Sequence, residues 1–307
     1  MYNEIGDKML QVKNVTKYYD TLKAVDDLSF EVKEGEIFGL LGLNGAGKTT
    51  TFRMIMGLID DYTGEITLNG KKISYDITDQ IGFLTEERSL LTKLTVLEQV
   101  KFYGILKGMN EDLIEQELDK LLKILNIYEY KNKKIKELSK GNQQKIQLIT
   151  AIIHKPKLLI LDEPFSGLDP INVELFKKLI LDLKKKGTMI IFSSHRMEHV
   201  ELFCEKLVIL VKGRAILSGY LKDIKKDFGQ KVITIAGDID EDEVAKQDGV
   251  ISVERIKDEY KVNIKSDDYT KNIFKFISKY DNITKFTVED PSLNEIFVSI
   301  VGEQYEN

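Results

Sequence analysis

The segment Gly42-Leu43-Asn44-Gly45-Ala46-Gly47-Lys48-Thr49 constrains this chain more than any other stretch of it. It fits G-x-x-x-x-G-K-[ST] in full. The apolar run Ile37-Phe38-Gly39-Leu40-Leu41 leads into it, and residues from Thr49 onward, including Phe52, Met54, Ile55 and Met56, suit a helix. A glycine loop between a strand and a helix turns main-chain N–H groups toward a phosphate, and the helix N-terminus adds a favourable dipole. In such a loop Lys48 reaches the β- and γ-phosphates of a nucleoside triphosphate, while the Thr49 hydroxyl ligates Mg²⁺. A chance glycine turn is the competing reading, and the flanking elements weigh against it.

A second cluster follows a buried-strand pattern. Leu158-Leu159-Ile160-Leu161 runs into Asp162-Glu163-Pro164. In open α/β sheets, ligands sit beyond the carboxyl ends of strands, so two acids there flank the phosphate site. Asp162 is placed to hold Mg²⁺ through water, and Glu163 to orient and deprotonate the attacking water. Two acids at a strand end are often a solvated turn. Beside a phosphate loop, the chemical reading wins.

The remaining pattern sets the organisation. Val12 to Val32 alternates apolar and polar residues, as half-buried strands do. Thr95 with Glu98 reads as a capping box opening a helix through about Lys107. A second helix begins near Asn110, with Leu113, Ile114, Leu118, Leu121, Leu122 and Leu125 on one apolar stripe. Met189 to Phe192 and Leu207 to Leu210 are further buried runs, and Val173 to Lys186 is helix-compatible. Strand and helix in alternation predict a largely parallel sheet covered on both faces. From about Lys225 the order becomes β-α-β-β-α-β, the split ferredoxin-like motif. The expected fold class is α/β. It comprises a P-loop nucleotidase core with an N-terminal antiparallel β subdomain and a helical insertion (about 87–150), then a small α+β domain. The expected boundaries are 10–224 and 225–307.

Composition removes several function classes. The formal net charge is -5 with both signs interleaved, which argues against a nucleic-acid binder with a basic stripe. Cys204 is the only cysteine, which excludes a disulfide within the chain and favours a reducing compartment. No stretch approaches the roughly 20 apolar residues that cross a bilayer. A membrane link is therefore expected through a partner.

Leu138-Ser139-Lys140-Gly141-Asn142-Gln143-Gln144 resembles the signature motif of ATP-binding-cassette proteins, usually written LSGGQ. Ser166-Gly167-Leu168-Asp169 looks like that family's D-loop, and Ser194-His195 like its switch histidine. These motifs occur in the family's order over about residues 10 to 220. The resemblance implies that ATP is bound by Asn44, Gly45, Ala46, Gly47, Lys48, Thr49 and Thr50. It implies adenine stacking on Tyr19, with Tyr18 as the rival. It implies that His195 senses the γ-phosphate, and that Ser139 and Gly141 close over ATP held by a second cassette, identical or sister. Thr49, Glu86 and Asp162 would hold Mg²⁺. Glu86 stands where the family usually has glutamine, and Lys140 and Asn142 replace the usual glycine and glutamine of the signature. The C-terminal extension looks like that of exporter cassettes. The resemblance thus implies the ATPase subunit of an exporter, cytoplasmic, on the inner face of the membrane through a separate permease. The alternative is a soluble cassette ATPase acting on a protein or nucleic-acid assembly.

Overall fold

Long apolar runs form buried strands here, and alternating ones form half-exposed strands. The computed structural model describes residues 8–87 and 89–306. The chain divides after Ser218 into two compact units.

The first unit opens with β1 (Met9–Tyr19) and β2 (Leu22–Lys33), an antiparallel pair whose register closes at Tyr19 opposite Leu22. Next come β3 (Ile37–Gly42), α1 (Lys48–Ile55), β4 (Thr63–Leu68), β5 (Lys71–Lys72) and β6 (Ile81–Leu84). The helical insertion holds α2 (Val96–Leu106) and α3 (Glu111–Ile124) and leads to α4 (Lys140–Ile152). The unit continues with β7 (Leu158–Asp162), α5 (Pro170–Lys185), β8 (Met189–Ser193), α6 (Met197–Phe203), β9 (Lys206–Val211) and β10 (Arg214–Tyr220). Ten strands form one sheet in the order β5-β4-β1-β2-β10-β9-β3-β8-β7-β6.

One side of this sheet, β1 with β2 and β4, is antiparallel. The other side, β9-β3-β8-β7-β6, is parallel. Every residue of β7 and β8 is buried, as helices on both faces require. A stacked Phe30–Phe38 pair, 4.8 Å between centroids, joins β2 to β3 within a core that also holds Leu40, Phe52, Ile160 and Ile191.

The insertion's helices are fixed by their caps. Thr95 and Glu98 form the capping box: Glu98 N–H donates to Thr95 Oγ1 (3.2 Å) and Thr95 N–H to Glu98 Oε2 (2.7 Å). Asn110 caps α3, and Ser139 caps α4. The buried line of α3 is Ile114, Leu118 and Leu122. Leu113, expected on the same stripe, is instead exposed. It lies one residue, about 100° of helix, away from that line.

The second unit contains α7 (Leu221–Asp227), β11 (Lys231–Ala236), α8 (Glu241–Ala245), β12 (Val250–Ile256), β13 (Glu259–Ile264), α9 (Thr270–Ile277), β14 (Lys285–Glu289) and α10 (Leu293–Glu306). Its sheet runs β12-β13-β11-β14 with antiparallel neighbours, the ferredoxin-like arrangement. Ile233, Ile235, Val262 and Ile264 of the sheet bury Val244 of α8 and Ile273 and Ile277 of α9.

Candidate functional site

β3 ends at Gly42, and the chain turns through Leu43–Gly47 before α1 starts at Lys48. Gly47 has a left-handed φ of 105°, and a Cβ there would lie 2.5 Å from the Ala24 carbonyl oxygen of β2. At Gly45, φ 79°, a Cβ would meet nothing within 4 Å. The loop is therefore wedged against β2 at one glycine and open at the other, as a main-chain anion cradle must be. Asn44 and Thr49 are exposed, Thr50 is half-buried and Ala46 is buried.

Lys48 Nζ donates to the carbonyl oxygens of Gly42 (2.7 Å) and Leu43 (3.2 Å). Burial holds its pKa below the ordinary lysine value, while the charges of Asp162, Glu163 and Glu86 act in the opposite direction. Three carboxylates from two separate loops thus lie within electrostatic reach of this one ammonium group.

Asp162 closes β7 directly opposite Ser193, the last residue of β8. Its Oδ1 accepts a short hydrogen bond from the Ser193 hydroxyl. Burial pushes the Asp162 carboxyl above the usual range; Ser193 and Lys48 lower it, and Glu86 and Glu163 raise it. Glu163 follows with φ 50°, left-handed and rare for a residue with a side chain. Such a conformation costs about 1–3 kcal/mol and persists only where surrounding contacts enforce it. Here the Glu163 N–H donates to Ser193 O (3.1 Å). Its Oε1 accepts from the His195 backbone N–H (2.6 Å) and lies 2.9 Å from His195 Nδ1. Its Oε2 accepts from the Ser194 hydroxyl (3.2 Å). The carboxylate is gripped from three directions by the segment that follows β8. His195 itself is 73% exposed, on the solvent side of the buried Glu163 carboxylate.

Glu86 is exposed on the loop after β6. The strand holding that loop pairs with β7 through Leu84 opposite Leu161. Gln147 of α4 donates from Nε2 to both Thr85 O and Thr85 Oγ1, each at 2.9 Å. Gln144 Nε2, one turn earlier, donates to Pro164 O (3.1 Å). Helix α4 thus ties the Glu86 loop to the turn carrying Glu163. Tyr19 ends β1, and two residues past its partner Leu22 is Ala24, whose carbonyl abuts Gly47. Tyr19 is accordingly on the hairpin beside the phosphate loop, partly exposed, with Lys17 Nζ 4.9 Å from its ring centroid. Tyr18 pairs instead with Lys23.

Ser139 and Gly141 occupy the exposed start of α4. Ser139 Oγ accepts from Asn142 N–H (3.3 Å), and Lys140 is exposed. A Cβ on Gly141 would meet only Leu168 Cδ2 (3.7 Å) and Gly167 O (3.8 Å), ordinary contact distances. The chain's own fold does not demand glycine there. The structure therefore gathers the phosphate loop, Glu86, Asp162, Glu163 and His195 at one end of the parallel sheet, and sets Ser139 and Gly141 beside Gly167 and Leu168. Sequence reasoning missed Ser193, Ser194, Gln144 and Gln147 as supporting groups. Two serines ending an apolar run, and glutamines on the buried face of a helix, were the available signals.

Comparison with known proteins agrees with this geometry. A family model described as "ABC transporter" matches residues 25–166, and one described as "ATP-binding protein DrrA1-3-like, C-terminal domain" matches residues 219–301. The chain is 49% identical to YhaQ of Bacillus subtilis (strain 168), an uncharacterized ABC transporter ATP-binding protein, over 97% of this chain and 100% of the relative. It is 31% identical to the linearmycin resistance ATP-binding protein LnrL of the same organism, over 96% and 98%. A solved ATP-binding subunit of an ABC transporter superposes with a TM-score of 0.68 at 33% identity, covering 72% of this chain and 93% of that one. With the phosphate loop, the paired acids and the signature-bearing helix in one unit, the chain belongs to the ABC transporter ATP-binding proteins and is an ATPase.

Proposed function

We propose that this subunit hydrolyses ATP in a head-to-tail pair of cassettes and drives a separate membrane permease that exports its substrate. The observation that carries the catalytic part is the three-way grip on Glu163 next to Asp162, facing Lys48. In this reading Asn44 to Thr50 bind the phosphates through main-chain N–H groups and the Lys48 ammonium, and Tyr19 stacks on adenine. Glu163 accepts the proton of the attacking water. Its Oε1 is held by the neighbouring backbone, so the carboxylate is pre-aimed and loses little entropy on reaction. His195 positions that carboxylate and its exposed ring reaches the γ-phosphate. Ser139 and Gly141 close over the nucleotide of the second cassette, which accounts for a glycine that its own fold does not require.

The oxygen donors Thr49, Asp162 and Glu86 suit Mg²⁺, which binds through one or two carboxylates together with phosphate oxygens. When bound, the ion neutralises charge developing on the transferred phosphoryl group. Burial of Asp162 beside Ser193, within electrostatic reach of Lys48, fits a carboxylate that could hold a cation.

Coupling to a permease is supported by the loop after β6. A cavity of about 320 Å³ adjoins it, lined by Leu58, Phe83, Leu90 and Tyr103 among others, and the buried Gln99 Nε2 and Gln147 Oε1 have no partner there. Phe102, Ile105 and Leu106 of α2 are exposed nearby in sequence. No helix among the described residues is long and apolar enough to cross a membrane. Export is favoured by the name of the resistance relative, matched across nearly all of this chain. We assign the first unit to the catalytic part and the second, from Gly219, to an accessory domain; the expected break between 224 and 225 would fall inside α7.

Affinity purification of the tagged chain from detergent-solubilised membranes of its native host tests this reading. An integral membrane protein should co-elute and should raise ATP turnover when reconstituted in liposomes. Full turnover with a soluble assembly and no membrane partner would overturn it.

A further inference from the structure

The second unit's sheet has β14 at one edge, with β11 on its inner side and, among the described residues, no strand of this sheet on its outer side. The strand reads Lys285-Phe286-Thr287-Val288-Glu289. Folded back on a copy of itself about Thr287, in antiparallel register, it sets Lys285 opposite Glu289, Phe286 opposite Val288, and Thr287 opposite Thr287. Each pair is of a kind that stabilises neighbouring strands; the first two occur twice by symmetry and the Thr287 pair once, on the two-fold axis. The other edge strand, β12, has no such order: about its centre Val253, it would set Ser252 against Glu254 and Ile251 against Arg255.

The side chains agree with the pattern. Phe286 and Val288 share the face that carries α9, because they pair with the core residues Ile235 and Ile233. Phe274 of α9 stands edge-on to Phe286 with centroids 5.0 Å apart. Phe274 is 54% exposed and Val288 37% exposed, so an apolar patch borders the open edge. Lys285 and Glu289 are both exposed; Lys285 Nζ lies 2.8 Å from Glu259 Oε1 of the same chain and can share its charge with a facing carboxylate.

We propose that β14 is a homodimerisation edge. Two copies of this chain pair through it antiparallel, joining two four-stranded sheets into one of eight strands and covering the Phe274, Phe286 and Val288 patches. The contact is independent of nucleotide and rests on none of the catalytic roles proposed above. Exposed edges usually carry charges that prevent pairing. Here opposite charges are spaced so that a second copy meets them with the opposite sign.

Sedimentation velocity of the full chain in EDTA, without nucleotide, tests this with charge swaps. The unaltered chain should dimerise. Lys285→Glu or Glu289→Lys alone should weaken the dimer about tenfold or more, because each places like charges opposite one another twice. An equimolar mixture of the two single variants should restore association, since every facing pair is then opposite in sign. The double swap in one chain should restore it too. Circular dichroism and ATP binding confirm folding, and the double swap, unchanged in composition, covers the case of a single variant that does not fold. A monomeric unaltered chain, single variants that dimerise normally, or a mixture no better than its components would overturn the proposal and mark these charges as edge protection.

Discussion

At the residue scale, burial shifts the protonation of particular groups and ties stability to pH. Asp162 is the clearest case, a buried carboxylate whose pKa burial raises. A raised carboxyl pKa means that the folded state binds more protons than the unfolded one just above the ordinary carboxylate range. Stability therefore falls as pH rises through that window and stays reduced at neutral pH. Asp162→Asn should leave the nucleotide-free protein at least as stable at neutral pH while abolishing Mg²⁺-dependent hydrolysis. Denaturant melts at neutral pH, paired with phosphate release, check both halves. His154 behaves in the reverse sense. Burial, with help from Lys107, lowers its pKa to about 4, and its Nε2 bonds Ile81 O at 3.2 Å. Its ordinary value is 6.5, so the unfolded chain binds the extra proton between the two values. Stability is lost as pH falls from about 6.5 to about 4, by up to about 3 kcal/mol. His154→Gln should flatten that part of the pH–stability curve, and a curve as steep as that of the unaltered chain would exclude His154 as its source.

At the element scale, α4 is the part that joins the pieces. Its N-terminus carries Ser139 and Gly141, Gln144 holds the turn after Asp162, and Gln147 holds the Glu86 loop. Removing one partner of a buried hydrogen bond costs about 1–3 kcal/mol. Gln147→Ala should lose that much stability and release the Glu86 loop, which hydrogen exchange at Thr85 to Glu87 would register. ATP affinity should change little, because no phosphate-binding group is touched, while turnover falls. Elements of this kind were only partly legible in the sequence. The strand-loop-helix around Lys48 and the capping box at Thr95 follow from local chemistry and stand as expected. Leu113 was misplaced because a leucine-rich helix offers two adjacent apolar lines, and only tertiary contact chooses between them. Helix α7, seven residues with only Ile224 buried, has too short a pattern to read.

At the scale of the whole molecule, the two units illustrate what a linear pattern can and cannot convey. The parallel sheet and the ferredoxin-like order were readable, because runs such as 158–161 and alternations such as 259–264 carry different periods. The site was readable as a set of motifs, but its support was not. That Ser193, Ser194 and His195 converge on Asp162 and Glu163 depends on β7 and β8 being neighbours in register, a non-local fact. The left-handed φ of Glu163 is likewise imposed by its surroundings rather than by its residue type.

Glu163→Gln tests the central claim most directly, because it keeps the shape of the side chain and removes only its capacity to take a proton. With Mg²⁺ and ATP, the variant should bind nucleotide as tightly as the unaltered chain, accumulate as an ATP-bound cassette dimer, and release phosphate about 10²–10⁴-fold more slowly. Turnover retained at the original rate would show that another group accepts the proton, and the reading of this site as built around Glu163 would be wrong.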